Sequence, residues 1–140
     1  MKKLTAANYK KDRLYPAVAR AVAEVLKTNG VVSAVDVLLR MQRLTRQQVE
    51  DWRLGRVPCL ECVTLGGLGK MNRILRILEL HARSLNLQPS QTVYRKWGKD
   101  RKRIVLRFSK SGDPTVEAAY SRHYLTKARQ ARQREDACRE

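Results

Sequence analysis

Acidic residues are scarce in this chain. Only 13 Asp and Glu stand against 30 Lys and Arg in 140 residues, a formal charge of +17. So one-sided a charge strains a compact state and favours a polyanionic partner. The acids that exist are scattered: Glu61, Glu79 and Glu117 stand alone, with no Asp/Glu cluster for two-metal phosphoryl chemistry. Histidines number two, His81 and His123, and no nucleophile elbow or metal triad surrounds them. The chain is therefore expected not to be an enzyme and to carry neither metal nor cofactor. Cysteines number three, Cys59, Cys62 and Cys138. An odd count argues against a disulfide framework and for a reducing, cytoplasmic setting. Cys59-x-x-Cys62 has metal-ligand spacing, but no second close pair completes a four-ligand zinc site. The two are read as small hydrophobes of the core. No apolar run approaches the ~20 residues of a membrane span, so no membrane association is expected. Met1-Lys2-Lys3-Leu4-Thr5 leads into no apolar stretch, so no secretory leader is expected.

What is present suits one domain. Hydrophobic residues make up 43% of the chain, enough for a real core. The expected class is mainly α (α+β): a compact helical domain with a helix-turn-helix-like pair, one long central helix, and a C-terminal basic β-hairpin followed by a helix. Residues 1–12 read as a basic N-terminal arm, 13–126 as the α-rich globular domain with its hairpin at 91–109, and 127–140 as a basic, mixed-charge tail extending a helix.

Local signals place the elements. Pro16 sits in the first turn of a helix whose Leu14, Val18, Val22, Val25 and Leu26 share a face, and Gly30 is the expected C-terminal stop. Ser33-x-x-Asp36 and Thr45-x-x-Gln48 are capping-box patterns for the next two helices, the second running to about Leu54. Pro58 opens a short fourth element, with Gly66-Gly67-Leu68-Gly69 behind it. The longest helix, from about Lys70 to Asn86, carries a core stripe of Leu68, Met71, Leu75, Leu78, Ala82 and Leu85. Lys70, Arg73, Arg76 and Arg83 take the opposite arc. Ile77 and Leu80 fall on that arc too, so the helix is packed on two faces or shows an apolar patch; two-sided packing is preferred. Pro89-Ser90 breaks the helical pattern. Thr92–Tyr94 and Ile104–Phe108 are β-type runs around a polar loop. Asp113-Pro114 starts a last helix, with Val116, Ala119, Tyr120 and His123 on its inner side.

The charge is concentrated. Residues 91–112 hold eight basic residues and one acid, a net +7 of the +17. A hairpin carrying Arg95, Lys96, Lys99, Arg101, Lys102, Arg103 and Lys110 presents cations to a phosphate backbone, and each neutralised phosphate releases counterions. Tyr94 and Trp97 flank the loop and are candidates to stack on bases. In the helix pair, Leu38, Leu44, Val49 and Trp52 occupy the apolar positions, and Arg46, Gln47, Glu50 and Arg53 face out. Arg and Gln are the residue types that read guanine and adenine in a major groove. Such a pair followed by a basic hairpin resembles a winged helix, although a helix of about 17 residues separates the two here. Gly66-Gly67-Leu68-Gly69 before Lys70 is also similar to the G-x-x-G loop of KH domains, which clamps nucleic-acid backbone; no strand precedes Pro58 as that family requires. The backbone N–H groups of Ser109, Lys110 and Ser111 are a further candidate cradle for one phosphate.

These features lead to a non-catalytic nucleic-acid-binding protein, for DNA or RNA. Its candidate binding residues are Arg46, Gln47, Arg53, Lys70, Arg73, Arg76, Arg95, Lys96, Trp97, Lys99, Arg101, Lys102, Arg103 and Lys110. The alternative is a basic protein-binding module that docks on an acidic partner or joins a ribonucleoprotein assembly, with Ile77, Leu80 and exposed aromatics as its apolar centre.

Overall fold

The structure is a computed structural model that describes residues 4–65, 67–98 and 104–139. Among these, six helices surround a small antiparallel sheet, so the class is α+β. The helices are α1 (Tyr15–Thr28), α2 (Ala34–Arg40), α3 (Arg46–Arg53), α4 (Leu68–Ser84), α5 (Pro114–Ser121) and α6 (Lys127–Arg139). The strands are β1 (Val31–Ser33), β2 (Gln88–Gln91) and β3 (Arg122–Leu125), in the order β1-β3-β2.

Both helix starts are capped by their own residues, though only Thr45 and Gln48 form a full capping box. The Ser33 Oγ accepts from the Asp36 N–H at 3.1 Å, and donates to the Asp36 carboxylate at 2.9 Å. Thr45 and Gln48 satisfy each other's backbone N–H reciprocally at 3.1 and 2.9 Å. These bonds meet donors that a helix start leaves without intrahelical partners. Leu38, Leu44 and Trp52 are buried in the core, with Val49 packed against it and Trp52 resting on the rings of Tyr94 and Phe108.

Three expectations change at the sheet. Gly30 does not cap α1; Asn29 ends that helix and Gly30 accepts the Thr126 N–H at 3.0 Å, beside the sheet. Gln88-Pro89-Ser90-Gln91 does more than break a helix: it is an edge strand, where the missing proline donor is tolerated. His123 is not on a helix face, because α5 stops at Ser121 and the chain turns extended into β3, pairing His123 with Ser33 and Ser90.

α4 is packed on two sides. Ile74, Ile77, Leu78 and Leu80 are all buried, which removes Ile77 and Leu80 from any exposed apolar centre. The segment read as a basic arm contributes to this core: Leu4 and Tyr9 are buried, and the Tyr9 hydroxyl donates to Ser84 Oγ at 3.0 Å. Cys59 and Cys62 also depart from the expectation of unbridged packing residues. The chain there is a tight 3₁₀ turn, Leu60–Cys62, that brings their Cα atoms to 5.5 Å and joins them as a disulfide, with Cys59 buried and Cys62 exposed.

Candidate nucleic-acid interface

Where the β-type runs indicated a hairpin, the described residues form one antiparallel bridge with no extended strands. Arg95 bridges Val105, the Leu106 N–H donates to the Tyr94 carbonyl at 2.8 Å, and the Lys96 N–H donates to the Ile104 carbonyl at 2.8 Å. Alternation along this ladder turns Leu106 and Phe108 inward, with Tyr94 half-buried beside them. Val93, Arg95, Val105 and Arg107 face outward and are exposed. Lys99, Arg101, Lys102 and Arg103 lie outside the described residues.

An aromatic cluster anchors the hairpin to the helical body. The Phe108 ring lies 4.9 Å from Trp52, 5.1 Å from Tyr94 and 5.3 Å from Tyr120, nearly parallel to the last. The Trp52 indole N–H donates to the Arg107 carbonyl at 2.8 Å. The Tyr94 hydroxyl meets His123 Nε2 at 2.8 Å. Burial pushes the Tyr94 hydroxyl's pKa up and pulls the His123 imidazole's down. Tyr94 is thus committed to the fold and is no platform for a base.

Arg53 is the joint between α3 and the hairpin. Its guanidinium lies 5.2 Å from the Tyr94 ring centre and 4.7 Å from that of Trp97, within cation–π range of both. Its carbonyl accepts the Trp97 N–H at 2.7 Å. Burial lowers the Arg53 pKa, and Nε finds no hydrogen-bond partner in this wedge. Arg53 therefore holds the hairpin in place instead of facing out as a base reader. Trp97 remains 48% exposed.

Seven residues before Arg53, Arg46 lies on the same helical face, about 10 Å along the axis. Arg46 is exposed and, among the described residues, has no carboxylate in ion-pair range. Gln47 is exposed too, but its amide donates to Asp51 at 3.1 Å, and Arg56 holds the same carboxylate at 3.0 Å. Glu50 sits exposed between Arg46 and Arg53, an acid on the face that would meet phosphate.

The candidate phosphate cradle at 109–111 is occupied from within. The Glu117 carboxylate accepts the N–H groups of Phe108 and Ser109, and Glu61 accepts that of Lys110 at 2.8 Å. The Ser109 and Ser111 hydroxyls cap the N–H groups of Gly112 and Asp113. Glu61 is itself buried and takes the Tyr120 hydroxyl at 2.6 Å. Neither glutamate carried a local sequence signal for this task, because their partners come from segments folded against them. The Lys110 side chain stays exposed.

The basic arc of α4 is partly neutralised. Arg73 is bound by Asp12, whose Oδ2 accepts its Nε at 2.6 Å. Arg76 and Arg83 both pair with Glu79, at 3.0 and 2.9 Å. Lys70 alone of the predicted α4 set is exposed with no acidic partner among the described residues. The structure thus brings Arg95, Lys96 and Trp97 to the end of α3, while Lys70, Arg73 and Arg76 belong to a separate helix.

No family model, no curated protein and no solved structure matches this chain. No helix among the described residues is long and apolar enough to cross a membrane.

Proposed function

We propose that the protein binds nucleic acid, DNA or RNA, without catalysing a reaction on it. The observation that carries the reading is the Tyr94–Arg53–Trp97 stack, which fastens a basic hairpin to the end of the helix that exposes Arg46. Phosphate contacts from the hairpin would supply salt-sensitive affinity, and the half-exposed Trp97 a stacking surface. Any base reading falls to Arg46 and Gln47 at the start of α3. Fluorescence anisotropy against duplex DNA and a stem-loop RNA, repeated across salt, tests it. Binding that falls steeply with salt and weakens in Arg46→Ala and Trp97→Ala supports the reading. No binding at low salt overturns it.

A second reading rests on a different observation. Val93, Ile104 and Val105 are 58%, 55% and 58% exposed on the hairpin, an apolar group beside cations that suits an acidic protein partner. It expects Val93→Ser with Val105→Ser to leave nucleic-acid affinity unchanged and to abolish a stoichiometric, nuclease-resistant complex with such a partner.

A further inference from the structure

We propose that the cleft between the N-terminal segment and the start of α4 is a binding site for a nucleotide, held by its phosphates. The cleft is an open concavity of about 720 Å³, a size within the roughly 300–1,000 Å³ of small-molecule sites. Its walls carry four cations, Lys11, Arg13, Lys70 and Arg73, against one carboxylate, Asp12. That carboxylate is engaged chiefly by Arg73 and also feels Arg13, which leaves Lys11 and Lys70 without an acidic partner at the cleft among the described residues. One oxygen accepts the Leu14 N–H at 2.9 Å and the other is engaged by Arg73. Burial alone would raise the Asp12 pKa, but these bonds and the cation beside it outweigh burial and keep it ionised.

Lys11, Arg13 and Lys70 are exposed and have no carboxylate in ion-pair range among the described residues. Three exposed cations around one concavity, two of them without an acidic neighbour among these residues, favour a compact, multiply charged anion over a single carboxylate. Leu4 and Leu14 add an apolar wall, against which a planar base can rest. A Cβ built on Gly69 would meet nothing within 4 Å among the described residues, which leaves room there for an incoming group. This site shares no residue with the hairpin and does not depend on the reading given to it.

Calorimetry at low salt with adenosine 5′-diphosphate, adenosine and inorganic pyrophosphate tests the proposal on the full chain. The diphosphate is expected to bind best, pyrophosphate more weakly, and adenosine not at all. Lys11→Ala with Arg13→Ala should weaken the diphosphate by about ten-fold or more, as should Lys70→Glu. Arg20→Ala with Lys27→Ala removes equal charge from exposed positions on α1 and should change affinity by less than about two-fold. A 5′-phosphorylated tetranucleotide and its 5′-hydroxyl form separate a free nucleotide from the end of a strand. Binding of the phosphorylated strand alone supports the site with a strand end as its source. The proposal is overturned if neither diphosphate nor phosphorylated strand binds. Equal losses in the α1 control and the cleft variants also overturn it, as does pyrophosphate binding as tightly as the diphosphate.

Discussion

Glu61 is the residue whose removal should be felt most for its size. Its side chain is buried, and its two oxygens each serve a different segment: one accepts the Lys110 N–H at 2.8 Å, the other the Tyr120 hydroxyl at 2.6 Å. Glu61→Ala leaves both donors without a partner, and each unmade bond costs about 1–3 kcal/mol. Added to a small void, the expected loss is about 3–5 kcal/mol. Glu61→Gln keeps an acceptor for the Lys110 N–H and offers its amide to a Tyr120 hydroxyl that can rotate to accept. It should lose only the charge assistance, about 1–2 kcal/mol. Tyr120→Phe removes one donor and serves as the other arm of a double-mutant cycle. Urea unfolding reads the wild type, these three single variants and the Glu61→Ala/Tyr120→Phe double variant. At a slope of about 2 kcal/mol per molar, Glu61→Ala should shift the midpoint by about 2 M. A second readout is spectroscopic: burial first and then Glu61 push the Tyr120 pKa far above the usual phenol value. In the folded wild type its ionisation should be absent from an alkaline absorbance titration, and in Glu61→Gln it should move towards the ordinary range. A Glu61→Ala protein within about 0.5 kcal/mol of wild type would refute the reasoning, since it would mean that water or a neighbour replaces the carboxylate at no cost.

Other outcomes follow from the same coordinates. Arg101→Ala, Lys102→Ala and Arg103→Ala together should flatten the slope of log affinity against log salt by about 2–3 if these cations touch phosphate, measured by anisotropy. Burial lowers the pKa of both His81 and His123 below the ordinary value of 6.5, so the unfolded chain takes up protons first as pH falls. The stability they confer by staying neutral is complete above pH 6.5 and is lost progressively below it; a melting temperature that holds steady from pH 7 to 5 would contradict this. Gly55 has φ +77° and its Cβ would come within 2.8 Å of Lys96 Cε, so Gly55→Ala should destabilise by about 1–2 kcal/mol. Gly69 sits in open space without a positive φ, and Gly69→Ala should stabilise by about 0.5 kcal/mol in the same unfolding assay.

Short-range features of the fold were readable in the sequence. Capping at Ser33 and Thr45 depends on residues three apart, and the apolar spacing that marks Leu38, Leu44 and Trp52 as inward-facing is local, although Trp52 is covered by the distant Tyr94 and Phe108. The hairpin pairing needs only that Tyr94 and Leu106 close a loop. The sheet was not readable for a physical reason: its strands are three and four residues long, too short for an alternating pattern. β2 is polar and contains Pro89. Tyr120, His123 and Tyr124 repeat at helical spacing, although a change of backbone at Arg122 puts the last two in a strand. Only the pairing of β3 with two distant segments resolves that ambiguity.

For the site, residue type was legible and residue availability was not. Arg53, Arg73 and Arg76 belong to one chemical class in the sequence, yet each is spent on a different contact. Arg53 is wedged between two rings, Arg73 holds Asp12 sixty-one residues away, and Arg76 shares Glu79 with Arg83. A cation in such a contact can recruit a phosphate only by giving up its partner, so it contributes less than an unpaired one to polyanion affinity. Cations with no carboxylate in ion-pair range among the described residues include Arg46 and Lys110, Lys11, Arg13 and Lys70 at the cleft, and also Arg20 and Lys27 on α1. A surplus of +17 therefore does not make a uniformly adhesive surface. What sets the α3–hairpin face and the cleft apart is how their cations are grouped, and screening by salt over about 10 Å keeps exposed charges elsewhere from acting strongly on a ligand at either.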